Sequence, residues 1–280
     1  MKKRTKKLLG LTSMIAALTI FLTACSNAPV TSHSTGLWDH DIVYNGSLFI
    51  LWLSHHCGGY GMGIIIFTLI IRVLLLPVMN YQTKQSLKMQ ELQPELKKVQ
   101  TKYAGKRDPD SMQAMQAETS KLYKQNGIRP WATMLPLLIQ LPIMWALYQV
   151  IWRTSELKNG TFLWMQLGHP DPYYVMPILA AVFTFISSWL SMASMPERNT
   201  MTNMMTWGMP IMVFFMALGF SSAITLYWVV TNAFQVVQVL LLQNPFKIRR
   251  QREEKQRAEK RRRRKLDKAK RRALRSRHKK

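Results

Sequence analysis

The sequence predicts an all-α polytopic membrane protein. It would have five transmembrane helices, a helical hairpin on the cytoplasmic side and an amphipathic helix in the membrane interface. Three observations carry this expectation. Nearly half of the 280 residues (48%) are hydrophobic, yet the formal net charge is +25. The apolar residues fall in long blocks, five of which are candidate spans. The basic residues fall at the N-terminus, in one long loop and in a tail, the pattern of a membrane protein whose positive segments stay inside.

Residues 1–24 read as a lipoprotein signal peptide: basic "MKKRTKK", apolar "LLGLTSMIAALTIF", then "LTAC" ending at Cys25. In such bacterial signals the cysteine is lipid-modified and becomes the N-terminus; an uncleaved anchor is the alternative. Residues 25–58 follow as a lipidated outer segment, with Leu37–Trp52 as the amphipathic interfacial helix. Cys57 is the one other cysteine. With Cys25 acylated no internal disulfide forms, and no metal-ligand spacing surrounds Cys57. His55 and His56 are adjacent and read as interfacial residues.

Residues 59–80 hold the first span, about Tyr60–Met79. Residues 81–133 are the hairpin, and residues 134–243 hold the other four spans. The second, about Met134–Trp152, contains Pro136 and Pro142, which should kink it. The third is about Tyr173–Met192. The fourth, "WGMPIMVFFMALGF", is short and has Pro210 near its first turn; the fifth, about Ser222–Leu242, follows after a tight turn near Gly219. Ten Lys/Arg lie between Asn80 and Thr133, two between Arg153 and Pro172, and twenty from Asn244 onward. Five spans with the lipidated N-terminus outside put the long loop and the tail inside, and the positive-inside rule gives the same orientation.

In the hairpin, Leu87, Leu92, Leu96 and Val99 are spaced for one apolar face. "RDPD" breaks the first helix, Asp110 or Ser111 can cap the second, and Gly127 ends it. Met89, Met112 and Met115 offer either an adaptable client surface or ordinary hairpin packing. The tail, residues 244–280, reads as a solvated charge run, helical at most in part, for a polyanionic partner: anionic lipid headgroups or RNA.

One residue breaks the pattern. Gly61–Met79 as a helix is ~28 Å long, enough to cross a bilayer, and Arg72 sits ~10 Å from its Pro77–Tyr81 end. A charge at that depth marks a functional site, unless the side chain snorkels to the interface. Thr68, one turn before, continues its face. Further polar faces read from the other spans are Gln140 in the second; Thr184, Ser187, Ser188 and Ser191 in the third; and Thr225, Trp228, Asn232 and Gln235 in the fifth. Inter-helix glue is the alternative for the serines. None of the five spans contains Asp or Glu, so Arg72 sits in water or takes its acidic partner from another molecule. A cation in a wet intramembrane groove would draw acidic residues of a passing chain partway into the bilayer.

Three stretches together, "GMGIIIFTLIIRVLLLPVMNYQTKQSLKMQELQPELKKVQTKY", "MLPLLIQLPIMWALYQ" and "SSAITLYWVVTNAFQVVQ", resemble the YidC membrane protein insertase family, in its short Gram-positive lipoprotein type. The likeness runs from about Tyr44 to Pro245 and departs locally at Met144, where Phe is more usual. It implies a substrate groove whose arginine is Arg72, with Thr68, Gln140, Ser187, Ser188, Trp228, Asn232 and Gln235 as candidate lining. It also implies nascent membrane protein clients taken from the cytoplasmic side without nucleotide hydrolysis, alone or beside the Sec translocon, and a tail that meets the ribosome. No catalytic constellation, phosphate loop, metal cluster or cofactor motif is legible, so the chain reads as no enzyme. The rivals are a small-anion transporter using Arg72, for which no internal repeat is visible, and an assembly chaperone for membrane complexes.

Overall fold

The computed structural model describes residues 29–106, 108–193 and 200–277; the signal segment and Cys25 lie outside them. A π-helical turn, Leu37–Tyr44, runs into α1 (Asn45–His56). Gly58 and Gly59, both at positive φ (94° and 109°), then reverse the chain. α2 (Tyr60–Leu74) accordingly makes an angle of 118° with the preceding helical segment and packs back on α1. The close approach needs glycine at position 63, where a Cβ would stand 2.9 Å from the Ile50 carbonyl oxygen.

The first span was expected as one helix to Met79, but it breaks at Leu75. α3 (Leu76–Lys102) begins there and continues far past the expected span. Pro77 explains the break: it has no N–H for the Val73 carbonyl and its ring crowds that oxygen. α4 (Pro109–Gln125) returns beside α3. Its cap is Asp108, accepting from Ser111 N at 2.8 Å, and not Asp110 or Ser111 as expected, because Pro109 takes the first helical position. Gly127, at φ 60°, ends this arm.

Leu92 and Leu96 pack with Ile128, Met89, Leu122 and Tyr123 into a small core of the hairpin's own. Met89 thus serves packing, whereas Met112 is exposed. Lys102 and Glu118 join the arms at 2.9 Å; their bond raises the lysine's pKa and lowers the carboxylate's. Both are solvent-exposed, so the pair sets register more than stability.

A 3-10 turn, Pro130–Thr133, leads into α5 (Leu135–Arg153), which crosses to the opposite end of the bundle. There residues 154–174 fold into a cap. A helical turn, Ser155–Lys158, precedes β1 (Thr161–Phe162) and β2 (Met165–Gln166), antiparallel with Thr161 opposite Gln166. Leu157, Met165 and Leu167 are buried beneath it. α6 (Val175–Ala193) starts from this cap and packs on both α7 (Met209–Leu218) and α8 (Ser222–Gln238); α8 in turn packs on α2. The cap also supplies acceptors for the free N–H groups at the start of α8. Ser222 N donates to His169 O at 2.7 Å and Ala223 N to Leu167 O at 3.1 Å.

By length and composition, three helical segments suffice to cross a membrane: Pro130–Arg153, Val175–Ala193 and Ser222–Ala269. α1 and α2 add a fourth if the bent pair is counted as one span, and Met204–Leu218 is apolar but short. The expectation of five spans therefore rests on two short helices: α2, which breaks ahead of Pro77, and Met204–Leu218, which ends at Gly219.

The tail corrects an expectation. It is helical from Pro245 to Arg277 as α9, ~50 Å long at ~1.5 Å per residue. Arg, Lys, Gln, Glu and Ala are all strong helix formers. Arg249–Glu253 (3.1 Å) and Arg250–Glu254 (3.2 Å) add pairs at the favourable i,i+4 spacing. Asn244, left-handed at φ 38°, separates α9 from α8 and its π-helical extension, Val239–Gln243.

Candidate functional site: a buried arginine among neutral partners

Arg72 and Thr68 lie one turn apart on α2, on the face turned into the bundle. Thr68 is fully buried and its hydroxyl donates to the Ile64 carbonyl at 2.7 Å, so it satisfies itself within the helix. Arg72 is 8% exposed. Its Nη2 donates to Gln140 Oε1 on α5 at 3.1 Å, and Gln140 Nε2 donates to the Tyr227 hydroxyl on α8 at 2.7 Å. Three helices are thus joined by one chain of side-chain bonds. A guanidinium carries five N–H donors. Gln140 accepts one of them, and the Tyr227 phenol stands beside the guanidinium as a second neutral partner.

Magnitudes show what this leaves over. An arginine at mid-membrane costs ~2.5–3.5 kcal/mol on insertion scales. An interhelical hydrogen bond in a membrane returns on average ~0.6 kcal/mol. Gln140 therefore orients the cation without neutralising it. What the arrangement offers chemically is a fixed positive charge with donors to spare, held where an incoming carboxylate would be poorly solvated.

The other predicted lining residues are not gathered around Arg72 by any bond. Ser187 is buried and donates to the Thr184 carbonyl at 3.0 Å; Thr184 and Ser191 likewise bond back to their own helix. Ser188 is half-buried beside it. Trp228 packs edge-on against Phe220 at 5.4 Å and joins the apolar core. Asn232 donates to the Trp228 carbonyl at 3.0 Å, and Gln235 is half-buried further along α8. Alternation of polar types along a helix could not separate groups that bond across helices from groups that bond back to their own.

Three residues escaped the sequence reading. Tyr227 sits next to Trp228 and counts as core by its aromatic ring; only the fold turns its hydroxyl to Gln140. Arg153, read as a loop charge, is buried at the end of α5, where Nη1 and Nη2 grip Asp39 Oδ1 and Oδ2 at 2.8 and 3.0 Å. That fork ties the turn before α1 to α5, and Gln149 Oε1 accepts from the same guanidinium at 3.3 Å. Asp171 is the third. Burial alone would raise its pKa, but Met176 N (2.7 Å), Trp164 Nε1 (2.9 Å) and Tyr173 N (3.1 Å) donate to it and hold it below the ordinary carboxylate range.

Residues 52–251, which include Arg72, Gln140 and Tyr227, match the family model described as 60Kd inner membrane protein. The chain belongs to the 60Kd inner membrane protein family. Among its relatives is a membrane protein insertase YidC of Pediococcus pentosaceus, 56% identical over 256 residues, 90% of this chain and 91% of that one. Another, from Enterococcus faecalis, is 50% identical over 268 residues and covers 96% of each chain. Among solved structures, the crystal structure of an active YidC insertase with its first transmembrane domain resolved has a TM-score of 0.57 at 27% identity. That match covers 71% of this chain but 46% of the longer one. The resemblance read from the three sequence stretches is therefore borne out, and this family member is a multi-pass bacterial membrane protein.

Proposed function

We propose that this chain inserts membrane proteins, taking clients from the cytoplasmic side and drawing acidic parts of their leading segments to Arg72. It is a membrane protein insertase. The observation that carries the detailed reading is the buried Arg72, held by neutral Gln140 and Tyr227 and with no carboxylate in the spans. Desolvation makes an unmatched charge costly, so a client carboxylate beside it relieves both partners. The client's apolar stretch then leaves sideways into lipid, which supplies the driving free energy. Catalysis of bond-making has no part in this scheme, and neither does a cofactor.

In the same reading the hairpin and the α9 end face the cytoplasm, Cys25 is lipid-modified on the outer face, and residues 1–24 are removed. α9 meets the ribosome, with anionic headgroups of the inner leaflet as its second polyanion, and the chain works alone or beside the Sec translocon. Support comes from the distribution of basic residues: ten in the hairpin region and twenty in the tail, against two between Arg153 and Pro172. The test is insertion of a single-span client with an acidic leading segment in cells depleted of other insertases. Arg72→Lys should support insertion and Arg72→Ala should not, and neutralising the client's acids should relieve the dependence. Normal insertion with Arg72→Ala would defeat the attraction mechanism.

A further inference from the structure

The two halves of α5 are held in different ways. Its buried residues, Leu147, Gln149, Val150, Ile151 and Arg153, all lie beyond Pro142. None of the residues from Leu135 to Pro142 is buried, and Leu137, Leu138 and Leu141 are exposed. The far half is fixed by packing and by the Arg153–Asp39 fork. Among the described residues, the side-chain hydrogen bonds from the near half to α2 and α8 are those of Gln140.

At its start the near half is fastened instead to α3. Ala132 is fully buried, Ile128 packs on Leu92 and Leu96, and Arg129 N donates to Gln85 Oε1 at 3.2 Å. Between the halves, Pro142 offers no N–H to the Leu138 carbonyl, which loosens the helix there. At the other end of the same unit the chain breaks at Leu75, ahead of Pro77. On its other side α3 is touched by the tail junction, Val239–Gln243.

We infer that α3 and residues 128–141 move together as a lever, pivoting at Leu75 and Pro142 and latched by Gln140. Swinging it parts the near half of α5 from α2 and α8 and opens Arg72 to the side, where a client segment can pass into lipid. The lever is a property of this chain's own packing; only what passes the opening rests on the insertase reading.

The test uses the full chain with Cys25→Ser and Cys57→Ser, reconstituted in phosphatidylglycerol–phosphatidylethanolamine vesicles. Spin labels at Trp131→Cys and Val237→Cys report the near half, and labels at Trp145→Cys and Val237→Cys report the part just beyond the pivot. From Pro142 to Trp131 is ~16 Å of helix, so a change in kink of ~20° moves the end by ~5 Å. Gln140→Leu should shift the near pair by about that amount while the far pair stays within ~1–2 Å. Adding Pro142→Ala to Gln140→Leu should return the near pair toward its original distance. The inference is overturned if Gln140→Leu leaves the near pair unchanged, if both pairs move together, or if Pro142→Ala does not reverse the shift. These distances are read without client. Insertion measured on the same vesicles judges the insertase reading separately, so the two can fail independently.

Discussion

Gln140 accepts a hydrogen bond from Arg72 at 3.1 Å, across 68 residues of sequence and from a different helix. A neutral amide orients the guanidinium but leaves its charge uncompensated. Replacing it with a carboxylate tests whether the charge must remain available. Gln140→Glu should pair Arg72 internally and compete with acidic clients. A charge-assisted bond is worth ~1.5–3 kcal/mol, so insertion of an acidic-leader client should fall about ten-fold or more, while a neutral-leader client is affected less. Equal effects on both clients would speak against charge attraction.

The Tyr227 hydroxyl accepts from the other end of the same amide at 2.7 Å. Tyr227→Phe leaves that N–H without its acceptor at little cost in volume. The expected loss of stability is ~1 kcal/mol, read as a lower unfolding midpoint in detergent. In a Gln140→Leu background the same substitution should cost less, because the bond to the amide is already gone and only the phenol's interaction with Arg72 is left to lose.

Asp39 and Arg153 form a bidentate pair whose arginine side chain is 1% exposed. Asp39→Ala removes the carboxylate from that cation and leaves the neutral Gln149 bonded to it, and losses of ~3–5 kcal/mol are typical for breaking a buried pair. Asp39→Ala with Arg153→Met should recover part of the loss. A double variant as unstable as the single one would mean that the pair orients the turn before α1 rather than neutralising a buried charge.

Asp171 titrates below its ordinary value because backbone and indole N–H groups outweigh the opposing effect of burial. A carboxyl lowered on folding adds stability above its unfolded pKa of ~3.9, and that stability is lost as the pH falls through the lowered folded value. Asp171→Asn should therefore be less stable than the parent near neutrality, and the gap should narrow on acidification below about pH 4. A gap that stays constant into that range would rule out the carboxylate's charge as its source.

The α9 helix continues the chain past the bundle with basic residues along its whole length. Truncation after Phe246 should weaken co-sedimentation with ribosomes. A chain neutralising roughly six to ten phosphates loses about 10³–10⁵-fold in affinity between ~50 and ~200 mM salt, so the parent's binding should fall steeply with salt and the truncated chain's only weakly. Binding that is unchanged by truncation would remove the ribosome from the tail's account.

Much of this protein is legible without coordinates, because bilayer chemistry acts on composition. Long apolar blocks must become helices that satisfy their own backbone, and segregated basic residues mark the loops and tail. Arg72 stands out for the same reason, as does Thr68 one turn before it on the same face. The hairpin is legible too, since Leu92, Leu96 and Val99 show one stripe. What the sequence left open depends on neighbours far apart in the chain. Helical spacing assigns a residue to a face but does not say which helix that face meets. Packing of α2, α5 and α8 chose Gln140 and Tyr227 as the partners of Arg72 and put Trp228 on Phe220. Packing likewise turned Arg153 from a loop charge into the buried clasp of Asp39. Local chemistry fixed the helices and the one costly charge; long-range contacts, which no local pattern encodes, decided what holds that charge and where the bundle is left free to part.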